Sequence, residues 1–359
     1  MRLLTVLALA TCFAYPASAL TLAPGDVLVG RPANFDSGRE SDVVRVDLVS
    51  GTFEVLTSGG ALQSPNNIVT DHSGNVIVAN WQGGDLVSVD PRQFAPGGPT
   101  NQTIVGSGDA LRFPTGLAID SEGFLYVAAG GFGGMADGHV VRVDPSRYDP
   151  AKPEANQELV ASGGLIGFQG GIVVDESGTL FVASRGDNVV VAIDPDSFDP
   201  GDVESNQSVV ASVFRFPAYL TIDSTGLLFV AVLGGDEAVY RVDPSSYDPA
   251  DPPGNRSVVA TAPVEDLGAL AIEGSGRLLM LDSDNFPYHH DLVRIDQDAF
   301  DPGQPSANQT LVASIEDIAE GFITLGLWVV PVPEPSPALL HLFAVATLAG
   351  ISLSRRRRH

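Results

Sequence analysis

The side chains best suited to chemistry lie late in the chain, in Asp282-Ser283-Asp284-Asn285-Phe286-Pro287-Tyr288-His289-His290-Asp291. Oxygen donors at alternate positions match what Ca²⁺ takes, and imidazole beside carboxylate suits a transition metal. Asp282, Asp284 and His289 are therefore the candidate metal ligands, with Ca²⁺ the candidate ion. Adjacent histidines cannot easily face one ion, and no EF-hand Gly-x5-Glu continuation follows, so a solvated polar loop accounts for the same run. Asp194-Pro195-Asp196-Ser197-Phe198-Asp199 also suits Ca²⁺ or, more simply, a structural turn. The chain has no G-x-S-x-G elbow, H-E-x-x-H or C-x-x-C. Its Gly130–Gly134 run opens no helix, so it is not a nucleotide cradle. No catalytic residue is nominated.

These runs sit between short β-branched segments that repeat along most of the chain. Six Val/Ile-Asp steps, at Asp47, Asp90, Asp144, Asp194, Asp243 and Asp296, each end an apolar strand. A D-x-x-G type tetrad, such as Asp71 to Gly74 or Asp120 to Gly123, separates the two strands before each step from the second copy onward. Asp at the first position and Gly at the fourth suit a tight turn between antiparallel strands. Six second strands are readable but only five first strands, because the N-terminal copy begins at its second. The run Gly321-Phe322-Ile323-Thr324-Leu325 supplies the missing strand if the last segment completes the first blade. The expectation is an all-β, six-bladed β-propeller closed by a C-terminal strand; an open β-solenoid is the alternative. Ring closure removes exposed sheet edges.

Strand order then sorts the loops. Those from second to third strand, and from fourth strand to the next blade, share one face. It carries the candidate ligand residues Asn66, Asn67, Asn80, Trp81, Arg185 and Tyr219, of which Trp81 and Tyr219, with Tyr288, are stacking surfaces for a sugar. The opposite face carries the insertion Asp-Pro-x-x-Tyr/Phe-Asp-Pro, whose aromatic residue is expected to plug the blade end. Each insertion ends in an asparagine. Four of these, Asn101, Asn206, Asn255 and Asn308, form N-x-S/T sequons, while Asn156 does not. Turn preference for asparagine explains all five.

The two ends carry different signals. Residues 1–19 have a charged Arg2, an apolar stretch and an Ala17-Ser18-Ala19 cleavage pattern, the anatomy of a secretory signal peptide. Cys12 is the only cysteine, so the mature chain has no disulfide. The far end holds Val332-Pro333-Glu334-Pro335, an apolar run over 338–353 long enough for a minimal membrane span, and Arg355, Arg356, Arg357 and Arg358. The expected domains are thus a signal peptide (1–19), a propeller (20–330) and a C-terminal sorting segment with a transmembrane helix (331–359). Five of the 19 basic residues and none of the 44 acids lie outside residues 20–337, so that stretch carries −30. Such a body repels the phosphate backbone, and no nucleic-acid partner is expected.

Two family resemblances follow from these motifs. The tripartite tail resembles the PEP-CTERM sorting signal of Gram-negative bacteria. It implies passage through the Sec machinery, recognition by an exosortase, membrane contact through residues 338–353 before processing, and delivery to the cell envelope or exopolysaccharide matrix. The pattern Pro114-Thr115-Gly116-Leu117-Ala118-Ile119-Asp120…Leu125-Tyr126-Val127-Ala128 resembles the NHL-repeat and gluconolactonase-like propellers. This second resemblance implies a non-enzymatic binding or matrix protein that meets exopolysaccharide or a surface protein, or alternatively a metal-dependent, lactonase-like hydrolase. In the hydrolase case Asn66, Asn67 and Asp282 are the counterparts of the metal-holding residues, with no equivalent glutamate.

Overall fold

The structure is a computed structural model that describes residues 20–33, 40–81, 83–94, 100–130, 138–234, 237–261, 267–283, 290–315 and 326–331. Its strands form six four-stranded antiparallel sheets. Blade 1 joins β1 (Val27–Arg31), β2 (Asp42–Val46) and β3 (Phe53–Ser58) to a last strand, β24 (Gly326–Val329). Blade 2 holds β4–β7 (65–106), blade 3 β8–β11 (114–162) and blade 4 β12–β15 (169–211). Blade 5 holds β16–β19 (217–261) and blade 6 β20–β23 (267–315). This is the six-bladed propeller expected from the repeat. The first strand of blades 2 to 6, and β24 in blade 1, is innermost and lines a central channel.

The second strands read as continuous apolar runs because both of their faces are buried. In β5 (Val76–Asn80), Val76 and Val78 pack toward blade 1, whereas Ile77 and Ala79 pack toward blade 3. The core is accordingly six hydrophobic layers, one between each pair of neighbouring blades. Tight turns set the strand register. Asp71 Oδ1 accepts the Ser73 and Asn75 N–H groups at 2.8 and 2.9 Å, and Gly74, at φ +78°, donates to the Asp71 carbonyl. A side chain at that φ would be strained, which is why the fourth turn position is glycine.

The asparagines that end the insertions join the blades. Asn101, Asn156, Asn206, Asn255 and Asn308 are all buried, between 5% and 7% exposed. In each, Nδ2 donates twice. One bond goes to the carbonyl of its own blade's strand-ending aspartate: Asp90, Asp144, Asp194, Asp243 or Asp296. The other crosses to the outer strand of the preceding blade, at Leu56, Val105, Val160, Val210 or Val259. The sequons are thus a by-product of a packing device, since Asn156 does the same work without one. The insertion aromatics do not plug their blade ends. Instead they stay half-buried, and the Tyr148 and Tyr247 hydroxyls reach Ser107 and Ser212 of the preceding blade at 2.8 and 3.0 Å.

Closure comes from β24; the run 321–325, expected to supply that strand, lies outside the described residues. Val329 pairs with Val27 and Leu327 with Val29, flanked by reciprocal bonds between Gly25, Asp26 and Val330 at 2.8 Å. No turn joins this strand to β1, so no D-x-x-G marker announces its register. Packing sets it instead: Leu327 and Val329 enter the layer against blade 6, and Trp328 Nε1 donates to Thr70 Oγ1 of blade 2.

Asn206→Ala leaves the buried Val160 carbonyl without its side-chain donor and takes one of two donors from the part-buried Asp194 carbonyl. It is expected to lower unfolding free energy by about 1–3 kcal/mol. Ser208→Ala removes the exposed hydroxyl of the same sequon and should leave the denaturation midpoint unchanged. Urea unfolding of the two variants separates a blade clamp from a modification site.

Candidate functional site at the channel mouth

The inner strands of blades 2 to 6 each begin with an irregularity, whereas β24 pairs with β1 in unbroken register. Register slips occur between Pro65 and Asn67, Pro114 and Gly116, Gln169 and Ile172, Pro217 and Tyr219, and Leu267 and Ala269. Bulges of this kind re-aim side chains, and here they ring one end of the channel. The residue just before the strand is strained as well. Ser64, Phe113 and Phe216 sit at φ +58°, +55° and +55°, a region costly for any L side chain. Hydrogen bonds hold the conformation: the Ser64, Phe168 and Phe216 carbonyls accept from Trp81, Arg185 and Leu233 N–H groups at 3.0, 2.7 and 3.0 Å. The loop after each second strand is thereby fastened to the start of its own blade.

Below the mouth lies a cavity of about 280 Å³, walled by Leu117, Ile172, Leu220 and Leu270. Its polar side chains are Asn67, Tyr219 and Thr221, and among the described lining residues there is no carboxylate. Around the mouth, aromatic rings and arginines alternate. Trp81 meets Phe113 edge-on at 5.7 Å, and the Arg112 guanidinium lies 5.6 Å from the Phe113 ring. The Arg185 guanidinium lies 5.3 Å from Phe168 of its own blade and 5.7 Å from Tyr219 of the next. Phe216 stands 55% exposed. Rings at such distances attract a cation by roughly 0.5–2 kcal/mol.

The sequence-predicted ligand residues divide into two groups. Trp81, Arg185, Tyr219 and Asn67 gather at the mouth, and Asn67 Nδ2 is buried with no hydrogen-bond partner. Asn80 and Asn66 are buried inside the scaffold. Asn80 is fully buried, accepting from Gln63 N–H at 2.9 Å and donating to the Ala61 carbonyl at 2.7 Å, so it shapes the loop that carries Trp81. Asn66 donates to the Pro114 carbonyl of blade 3, leaving its Oδ1 buried and unpartnered. The sequence reading missed Arg112 and Arg215. Their signal was there, in the repeated Arg-Phe-Pro at 112–114 and 215–217.

The metal candidates do not assemble among the described residues. Asp282 lies near the end of β21 (Leu278–Ser283), opposite Asp291 of the next strand, whose carboxylate accepts the Ser314 hydroxyl at 2.6 Å. Asp284, His289 and Tyr288 lie outside the described residues. No group of three His, Cys, Asp or Glu side chains suited to a metal occurs among those described. Among the described residues the mouth offers amides, a phenol and guanidinium groups, with the Asp187 carboxylate bonded to Ser184 and Gly167, and these do not gather into the divalent-metal set that lactonase chemistry calls for. On the far face the acidic run is a turn: Asp194 accepts from Asp196 N–H and the Ser197 hydroxyl, and Asp199 from Gly201 N–H. Neighbouring turns show the electrostatic result. Hydrogen bonds from Arg92, and in the next case from the Ser245 hydroxyl, hold Asp90 and Asp243 below the usual carboxylate range.

No protein-family model matches the chain, and no curated protein matches it in sequence. Solved structures share its fold. One is a chain in the crystal structure of a nidogen/laminin complex, at 14% identity and a TM-score of 0.58, covering 85% of this chain and 98% of that one. Another is the PQQ-bound aldose sugar dehydrogenase of Streptomyces coelicolor, at 16% identity and a TM-score of 0.50, covering 80% and 86%. Identities this low show the propeller architecture and nothing finer.

One carboxylate on the mouth face is poorly placed for stability. Burial pushes the Asp85 carboxyl above its ordinary 3.8. With the folded pKa above the unfolded value, the folded state binds more protons in the window between them. Stability from this group therefore falls as pH rises through that window and stays lower above it. Asp85→Asn should raise the melting temperature at pH 7 and leave it unchanged near pH 3; a thermal melt at both pH values reads the difference.

Proposed function

We propose that this chain is an exported, non-enzymatic binding propeller of the bacterial surface, and that its ligand meets the channel mouth. The observation that carries the reading is the mouth itself. Trp81, Phe113, Phe168, Tyr219 and Arg185 offer ring faces and donors on a rigid rim, without an acid–base pair or metal cluster among the described residues. Aromatic faces with adjacent amides are the usual means of holding a sugar or a protein loop. That a propeller of similar shape occurs in a nidogen/laminin complex is consistent with adhesion as a use of the fold.

Sorting belongs to the same proposal. Residues 1–19 serve as the signal peptide for the Sec machinery. Residues 331–359 serve as a PEP-CTERM segment, with Val332 to Pro335 presented to an exosortase and 338–353 in the membrane until cleavage. That segment lies outside the described residues. Among the described residues no helix is long and apolar enough to cross a membrane. The geometry of the described ends suits this order of events. Gly25, Asp26 and Val330 are bonded together at the channel end opposite the mouth. A precursor tethered through its tail would therefore turn the mouth outward, toward the exopolysaccharide or the surface protein it binds.

Trp81→Ala should weaken capture of the producing bacterium's exopolysaccharide at least tenfold while leaving the melting temperature within a few degrees. Undiminished capture by this variant would remove the mouth from consideration. Intact mass of the protein released by that bacterium should lack residues 338–359.

A further inference from the structure

A body of charge −30 has acids available for its arginines, and several of them are paired. Arg31, Arg45, Arg92, Arg142, Arg241 and Arg294 all lie within 3.2 Å of a carboxylate oxygen. Arg147, Arg215, Arg256 and Arg277 have no such partner among the described residues, and neither does Arg185, which differs from them in standing at the channel mouth between the rings of two blades. Its Nε is buried without a hydrogen-bond partner. The acid two residues along the chain is turned elsewhere: Asp187 Oδ2 accepts the Ser184 hydroxyl at 2.8 Å and Gly167 N–H at 3.1 Å. What holds Arg185 is aromatic, Phe168 on one blade and Tyr219 on the next. Rings of this kind fix the side chain without using its terminal N–H donors, so the guanidinium fork is preorganised and unsatisfied at the channel mouth.

We propose that Arg185, Phe168 and Tyr219 form a subsite for a carboxylate-bearing sugar unit, a uronate, within an acidic polysaccharide. The proposal rests on the mouth being the binding surface and adds the class of ligand. A planar guanidinium fork matches a carboxylate through two parallel hydrogen bonds, while the neighbouring rings suit the apolar face of a pyranose. Arg112 beside Phe113 and Trp81 repeats the cation–aromatic pairing in blades 2 and 3, and a chain of such units is the kind of ligand that meets two such seats. The body's −30 opposes any polyanion at long range, so the attraction here is local: the Arg185 fork meets one carboxylate while the rings beside it meet the sugar.

Titration calorimetry of the purified exported protein with tetragalacturonate, and with the same oligomer fully methyl-esterified, tests this. The acid is expected to bind and the ester, with equal rings and no charge, to bind roughly ten- to a hundredfold more weakly, the worth of a charge-assisted hydrogen bond. Arg185→Gln should abolish the preference for the acid over the ester. Arg185→Lys, which keeps charge but not the fork, should recover only part of it; matched melting curves show that both variants are folded. Equal binding of acid and ester, or an Arg185→Gln protein that binds the acid like the parent, overturns the proposal. If neither oligomer binds while Trp81-dependent capture of exopolysaccharide persists, the uronate subsite is wrong and the mouth remains the binding surface. If that capture fails as well, the mouth reading falls with it.

Discussion

The structure depends on one recurring contact, an asparagine amide that bridges two blades. Its two Nδ2 hydrogens leave for two carbonyls on different sheets, so neither sheet can slide without breaking a buried bond. A hydrophobic layer alone resists separation but resists sliding weakly, because apolar contact is not directional. The residue beside the asparagine adds a second tether: Gln157 donates to the Ser107 carbonyl and Gln207 to that of Gly163, while Arg256 reaches Ser212 and Val213. The asparagine oxygen is treated differently from blade to blade. Asn101 Oδ1 accepts the Thr57 hydroxyl, whereas Asn156, Asn206, Asn255 and Asn308 have no protein donor there. The residues next to the bonded carbonyls explain the difference, being Thr57 in the first case and Gly106, Ala161, Ala211 and Ala260 in the others.

Five asparagines cannot clamp six interfaces. In blade 1 the third and outer strands are joined by a tight turn, and Asp47 N–H pairs with the Thr52 carbonyl where Asp90 pairs with that of Asn101. Thr52 stands where the other blades have asparagine, and Gly51 packs near the Val312 carbonyl that such an amide would have reached. The seam between blades 6 and 1 is filled by a hydrophobic layer to which Leu327 and Val329 of β24 contribute, while β24 is itself zipped onto β1 within blade 1. The ends of the chain are thereby joined in one sheet, which closes the ring.

This division explains what the sequence discloses. Strands and turns are local, so Val76-Ile77-Val78 and Asp71 to Gly74 announce themselves, and six copies imply a ring. Contacts between blades span some 50 residues and leave no periodic trace of their own. Asn206 therefore reads as a turn residue, although its amide reaches Val160. The closing strand is the same problem in its severest form, since the pairing of Gly326 to Val329 with β1 spans almost the whole chain and no turn marks it. At the mouth, loop order puts Trp81, Arg185 and Tyr219 on one face. It does not reveal that Asn80 turns inward, or that the rings around Arg185 come from positions 17 residues before and 34 after it.

The two faces have diverged for a physical reason. On the far side the insertions contribute to stability, since Asp-Pro turns and clamping asparagines recur with little change and any departure weakens an interface. On the mouth side the backbone is fastened by main-chain bonds, from Trp81 to Ser64 and from Arg185 to Phe168, which place no demand on the side chains. The residue before each inner strand can thus be Ser64, Phe113, Phe168 or Phe216 at one backbone position without loosening the ring. Chemistry varies where side chains are not structural. An arginine held by rings instead of acids, on a body rich in acids, belongs to that freedom: a carboxylate there would improve local electrostatics and would occupy the donors a ligand needs. Rigidity below and vacancy of role above are the two conditions for a preorganised binding rim, and this repeat supplies both.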